Sequence, residues 1–178
     1  MSDKTKIEWT TSTANPIRAR NPVNGKVGHY CELISPGCAF CYSSAFQKRL
    51  GLPPFGAKGR NPGRVESFLD SNVLSQVMAW RRSRMIFWCS MTDLFGEWVQ
   101  DEWIDACVVT MLNTPQHTHQ ILTKRPRRAA EYFSSKRVRD VLAKGTSQWP
   151  IPNIWIGTST EDRKTFLDRS TWLRHCPA

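Results

Sequence analysis

Three short, largely apolar runs constrain this chain more than any other feature: Met85-Ile-Phe-Trp-Cys89, Gln120-Ile-Leu-Thr123 and Asn153-Ile-Trp-Ile-Gly157. Each is bounded by polar residues and is too short for a buried helix, which fits strands covered on both faces. A stretch with helical spacing follows each run. After the first comes Glu102 to Leu112, with Trp103, Ile104, Cys107, Val108, Met111 and Leu112 on one face. After the second, Pro126 suits a helix start, and the helix runs to about Ala143. After the third, a helix covers about Glu161 to His175. Alternating strands and helices predict βαβ units around a parallel sheet. No G-x-G-x-x-G follows any of these strands, so a dinucleotide-binding fold has no support. The better fit is an α/β partial (β/α) barrel of about four parallel strand–helix units, whose active face lies at the C-terminal strand ends. The first of these strands is expected near Gly28 to Cys31, with Met1 to Asn15 as a small strand or lid before it and Pro16 to His29 as a turn-rich basic insertion.

Polar residues cluster where the apolar runs end: Ser90, Thr92 and Asp93; Thr123, Lys124 and Arg125; Ser159 and Glu161. Helix capping accounts equally well for Ser159 and Thr160. Asp93, Lys124 and Arg125 are read as functional. Elsewhere Asp70 is expected to cap a helix with Val73, Leu74, Val77 and Met78 on one face, ended by Arg81, Arg82 and Arg84. Leu52 to Gly63 is expected to be a loop.

A fourth cluster is the stretch Cys31-Glu-Leu-Ile-Ser-Pro-Gly-Cys38-Ala-Phe-Cys41. Ser35, Pro36 and Gly37 bend the chain between the first two cysteines, and a short helix from Cys41 to Leu50 follows, stopped by Gly51. Thiolates are favoured at a helix N-terminus. Cys31, Cys38 and Cys41 can ligate three irons of a [4Fe–4S] cluster and leave the fourth iron open. They can also hold zinc, with His29, Cys89, Cys107 or Cys176 as the further ligand, or stay unmetallated. With no signal peptide to direct the chain out of the cytoplasm, a disulfide is not expected.

The residues Cys38-Ala-Phe-Cys41 resemble the second half of the radical S-adenosylmethionine (SAM) motif C-x3-C-x-aromatic-C, with Phe40 in the aromatic place. The first gap, six residues, resembles instead a phage-associated three-Cys-motif family, "phage protein gp thirty-seven/gp sixty-eight". Ile7-Glu-Trp-Thr10 with Asn15-Pro16, Ser35-Pro-Gly-Cys38 with Cys41-Tyr42, Ser90-Met-Thr-Asp-Leu-Phe95, Leu122-Thr-Lys-Arg-Pro126 and Ile154-Trp-Ile-Gly-Thr-Ser-Thr-Glu-Asp162 resemble that family's blocks, in order, over nearly the whole chain. The resemblance implies one radical-SAM-like domain over residues 1–178 whose C-terminal barrel half is missing, with residues 1–30 as an N-terminal arm and insertion. It implies a [4Fe–4S] cluster on the three cysteines and SAM on the open iron, cleaved to a 5′-deoxyadenosyl radical. Phe40 would lie along the adenine, Ser90, Asp93, Thr123 and Glu161 would bond SAM, and Lys124 and Arg125 would hold a phosphate or carboxylate of the substrate.

Charge bears on the partner. With 25 Lys and Arg against 15 Asp and Glu, a net charge of +10 favours nucleic acid or a phosphorylated substrate. Eight tryptophans is a high count, and exposed ones can stack on bases. The rival to a radical enzyme is therefore a non-catalytic, zinc-stapled nucleic-acid-binding module using the basic stretch Lys124 to Arg139, or a subunit of a partner complex. No apolar run reaches membrane-spanning length, which leads to the expectation of a soluble, cytoplasmic protein. A half barrel would leave its last strand as an open edge, to be covered by a protein partner or a second copy.

Overall fold

The computed structural model describes residues 4–57, 65–143 and 150–177. In chain order its strands are β1 (Ser12–Ala14), β2 (Ile17–Arg20), β3 (Val27–Gly28), β4 (Glu32–Leu33), β5 (Gly56–Ala57), β6 (Glu66–Leu69), β7 (Met85–Trp88), β8 (Thr118–Thr123) and β9 (Ile154–Thr158). The helices are α1 (Tyr42–Arg49), α2 (Ser71–Ala79), α3 (Asp101–Leu112), α4 (Pro126–Ser134), α5 (Lys136–Ala143) and α6 (Arg163–Arg174), and one turn of 3₁₀ helix covers Pro36–Phe40. None of the described helices is long and apolar enough to cross a membrane.

The three apolar runs become β7, β8 and β9, and a four-stranded parallel sheet joins them in the order β1-β7-β8-β9. From β7 on, successive strands are added on one side, so the order never reverses. The sheet is open among the described residues, and no barrel closes. The first parallel strand is not the expected Gly28–Cys31. Val27–Gly28 pairs antiparallel with β2, which in turn pairs antiparallel with β6. The place beside β7 belongs to β1, with Ser12 opposite Ile86, Thr13 opposite Phe87 and Ala14 opposite Trp88. No apolar run marks β1 because its side chains are small and the polar groups in it and just before it are satisfied by residues far along the chain. Ser12 Oγ accepts from Arg84 Nη1 at 3.1 Å, and the hydroxyls of Thr10 and Thr11 each donate to Met85 O at 2.9 Å. The basic stretch from Pro16 is thus a strand pair in a second sheet. The loop expected over 52–63 contains β5, which pairs parallel with β4, and lies in part outside the described residues.

Helix ends follow side-chain chemistry. Asp70 Oδ1 accepts from the Asn72 amide at 3.2 Å and starts α2 as expected. The single helix expected over 126–143 is broken at Ser135, whose Oγ accepts from the Val138 amide at 3.2 Å. A serine hydroxyl competes for backbone partners in this way. Helix α6 begins later than expected because Asp162 and Thr165 form a reciprocal capping box, with the Thr165 amide 2.7 Å from Asp162 Oδ1 and the Asp162 amide 3.1 Å from Thr165 Oγ1. Glu161 therefore stays outside the helix, free to reach elsewhere.

The two faces of the main sheet differ. Ala14, Trp88 and Ile121 point into one core with Ile104, Cys107 and Met111 of α3 and Phe133 of α4. Fully burying an aliphatic side chain such as Ile86 or Ile104 stabilises by about 1.5–3 kcal/mol. On the opposite face Trp9 packs on Phe87, ring centroids 4.7 Å apart, while Trp155 of β9 is 53 % exposed. The expectation of two covered faces therefore holds for β7 and fails for β9, which ends the sheet.

One buried polar pair sits inside this core. Trp88 Nε1 donates to His119 Nδ1 at 3.0 Å, which fixes the His119 proton on Nε2, facing Thr114. Burial, outweighing hydrogen bonds to the Thr114 and Met111 backbone, lowers the His119 pKa from 6.5 to about 4. The unfolded chain therefore binds this proton first as pH falls. His119 stabilises the fold fully above pH 6.5, and that contribution is lost between 6.5 and about 4, amounting to about 3 kcal/mol. Urea unfolding at a series of pH values should show this slope together with a similar one from His29, which burial also lowers to about 4, and it should become shallower without vanishing in His119→Gln. An equal slope in the two proteins would contradict the assignment.

Candidate functional site

The strand ends carry the polar groups expected of them. Just past β7, Cys89 takes a left-handed backbone conformation (φ 55°) while its amide donates to Ala14 O at 2.8 Å. A non-glycine residue rarely holds that conformation, and here it turns the chain sharply at the sheet end. Asn15, just past β1, holds the next residues in place: its Oδ1 accepts from the Met91 amide at 2.9 Å and its Nδ2 donates to Ser90 Oγ at 3.0 Å. The fourth strand-end polar group is therefore Asn15. The cysteine loop follows strands of the smaller sheets and folds over these ends.

Asp93 is the centre of the arrangement. Its Oδ1 accepts from the Phe95 amide at 3.0 Å and from Thr123 Oγ1 at 2.7 Å. Its Oδ2 accepts from the Lys124 amide at 3.1 Å and from Arg125 Nη1 at 3.2 Å. Arg125 Nη2 also donates to Glu32 Oε2 at 2.8 Å, and its guanidinium lies 4.9 Å from the Trp98 ring centroid. Asp93, Glu32 and Arg125 are all nearly buried. Breaking one member of a buried ionic group leaves the others uncompensated, so this clamp fixes the cysteine loop to the sheet.

The cysteine loop has its own local geometry. The Cys38 amide bonds Ser35 O at 2.9 Å and the Cys41 amide bonds Cys38 O at 3.2 Å, closing the 3₁₀ turn, and Cys41 caps α1. Ser35 Oγ donates to Glu161 Oε1 at 2.8 Å. A Cβ added at Gly37 would stand 2.4 Å from Glu161 Cγ, so the close approach of loop and Glu161 needs glycine there. Tyr42 Oη donates to Ser90 O, and Ser43 Oγ donates to Met91 O at 2.6 Å. These bonds seat α1 on the turn after β7.

Lys124 Nζ reaches Glu161 Oε1, Ser35 Oγ at 3.2 Å and Cys38 Sγ at 3.4 Å. Burial works against the charged forms here, yet the pairings prevail. Lys124 is raised by Glu161 and Cys38, and Glu161 is lowered by Lys124, Ser35 and Arg169. Burial likewise acts to raise Cys38, but its hydrogen bonds at Ile34 and Ser35 and the Lys124 charge bring it below its ordinary value. Cys31 behaves oppositely: burial first, then the Asp93 carboxylate, push its thiol up to about 12.

A cavity of about 490 Å³ opens at these strand ends. Cys31, Cys38, Cys41, Phe40, Ser90, Asp93, Lys124 and Arg125 all line it, as do Cys89 and Glu32. Phe40 is 91 % exposed and stands at the rim. Thr123 and Glu161 are not on the wall: Thr123 is buried against Asp93, and Glu161 holds Lys124 and Ser35 from behind. Glu32 and Trp98 are positioning groups that the sequence did not single out, and Asn15 is a third, marked there only as part of the Asn15-Pro16 block. Glu32 sits between two cysteines with no distinguishing neighbour, whereas Asn15 carried the Asn-Pro pair as a signal.

The donors suit a thiolate-bound cluster in kind, since all six cysteines are free and four of them, Cys31, Cys38, Cys41 and Cys89, share one cavity with two cations. Among the described residues no three His, Cys, Asp or Glu side chains stand gathered as ligands of a metal ion, so the thiols would have to turn toward a common point on binding. Of the further zinc ligands considered, only Cys89 lines the cavity. Cys107 lies in the α3 core, and His29 Nδ1 faces Ile17 O at 3.2 Å. The basic stretch after Lys124 is largely committed: Arg125 pairs with Glu32 and Asp93, Arg127 with Glu131, Arg128 with Asp101, and Arg137 with Glu102 and Asp105.

No curated protein and no solved structure matches this chain. A family match covers residues 4–178, and the chain belongs to the family described as Protein of unknown function (DUF5131).

Proposed function

We propose that this chain is an iron–sulfur, SAM-dependent radical enzyme of phage or prophage origin, as its motifs resemble, built on part of a (β/α) barrel. The observation that carries the reading is the shared cavity: Cys31, Cys38 and Cys41 line the same space as Phe40, Ser90, Asp93, Lys124 and Arg125 at the C-terminal ends of a parallel sheet. Cys31, Cys38 and Cys41 would hold a [4Fe–4S] cluster, which when bound supplies one electron to SAM. Lys124 keeps a positive charge beside Cys38 and favours its thiolate. Asp93 and Glu32 hold Arg125 at the cavity wall, where it and Lys124 would supply positive charge to a carboxylate or phosphate. Phe40, at the rim, offers an aromatic face to a ring entering from solvent. The zinc-stapled nucleic-acid module has less behind it, because the arginines it would use for phosphate contacts are paired with carboxylates.

Anaerobic reconstitution followed by iron, sulfide and zinc analysis, with electron-paramagnetic-resonance spectra recorded with and without SAM, tests this. About four irons per chain and a spectrum perturbed by SAM are expected. About one zinc per chain and no iron would replace the radical reading with the zinc one.

A further inference from the structure

The sheet face opposite the helices carries a second groove, of about 420 Å³, which adjoins the cysteine cavity through Trp9 and Leu122. Gln120 and Trp155 line it, and Phe87, next in the same row across the sheet, carries Trp9 at its edge. Phe87, Gln120 and Trp155 are direct partners on β7, β8 and β9. Trp9 packs on Phe87, so an indole stands over the β7 end of the row and a second indole, Trp155, stands on β9. Neighbouring strands are about 4.8 Å apart, so β7 and β9 lie roughly 10 Å apart with Gln120 between them. The tryptophans are 44 % and 53 % exposed, whereas Gln120 is only 7 % exposed.

The Gln120 carboxamide is half used. Its Nε2 donates to Trp9 O at 3.2 Å. Because Trp9 O can only accept, the amide orientation is fixed and the remaining atom is the acceptor Oε1. That oxygen is buried and has no hydrogen-bond partner among the described residues. A buried acceptor without a donor is unfavourable, and what would relieve it is a donor, which a planar group with an N–H on its edge can bring into a flat groove. Gly157 keeps the floor flat beside it, since a Cβ there would stand 2.7 Å from Leu122 Cδ2.

We propose that this groove binds a nucleobase, edge down on Gln120 Oε1 through a base N–H and stacked against Trp155. The chain's net charge of +10 favours a base that carries phosphate, hence a nucleotide. The site is on the sheet face rather than on the cysteine loop, and it stands whether or not that loop takes a cluster.

Isothermal titration calorimetry of the full chain with AMP, CMP and GMP tests the proposal. At least one should bind saturably. Its counterpart with a dimethylated exocyclic amine (for GMP, methylated at ring N1 as well) should bind about fivefold or more weakly, because the donor is gone. Trp155→Ala, at an exposed position that should not disturb folding, should weaken binding at least about fivefold, and Gln120→Leu should abolish the discrimination against the dimethylated base. Cys38→Ala should bind the nucleotide as the wild type does, which separates this site from the cluster reading. Absence of saturable binding by all three nucleotides, or equal affinity in wild type and Trp155→Ala, would overturn the proposal.

Discussion

Asp93→Ala is expected to lose about 3–5 kcal/mol of unfolding free energy. The carboxylate takes hydrogen bonds from the Phe95 amide, Thr123, the Lys124 amide and Arg125. Alanine would leave two backbone N–H groups and a hydroxyl without that partner, and a nearly buried guanidinium with Glu32 alone. Glu32→Ala is expected to cost less, since Arg125 keeps Asp93 and the strand-end amides keep their acceptor. Urea denaturation of the two variants checks both the size and the order. A loss for Asp93→Ala within about 0.5 kcal/mol of wild type, the ordinary range for a surface change, would show that the clamp is not structural.

The second large effect concerns metal content. Cys31→Ala, Cys38→Ala or Cys41→Ala should each reduce reconstituted iron from about four per chain to a small residue, because a cluster held by three thiolates is not retained by two. Cys176→Ala is the matched control: its thiol packs against the hydrophobic core, is raised by burial to about 11, and lies outside the cavity. Iron content should stay at the wild-type level in that variant. Unchanged iron in the Cys38→Ala protein would sink the ligand assignment. Equal loss in the Cys176→Ala protein would show that reconstitution reports on folding rather than ligation.

What could be read from the chain depended on whether a residue's neighbours in sequence were also its neighbours in space. The runs that became β7, β8 and β9 are apolar for a local reason, burial of consecutive side chains, and so they were visible. Ser12-Thr13-Ala14 is just as buried, but the Ser12 hydroxyl finds its partner at Arg84, some seventy residues further along. Nothing in the triplet itself announces a strand. The site divides in the same way. Asp93, Lys124 and Arg125 stood out because they follow apolar runs, and they do meet. Thr123 and Glu161 meet them too, as hydrogen-bond partners of Asp93 and Lys124 behind the wall rather than on it. Glu32 was missed because its role comes from a guanidinium that only the fold brings near. The break at Ser135 depended on one hydroxyl choosing a backbone partner, which periodicity does not register.

The pairing of β1 with β7 has a consequence for the growing chain. Ser12 waits for Ile86 before it has a neighbour in the sheet. At synthesis rates of 5–20 residues per second that wait is roughly 4–15 s. Because closing the loop between Ser12 and Ile86 must precede the contacts that reward it, the triplet cannot dock before β7 has been made. β8 is made later still, so even after β1 docks the other flank of β7 remains an open edge, of the kind that recruits foreign strands, until Thr118–Thr123 is made.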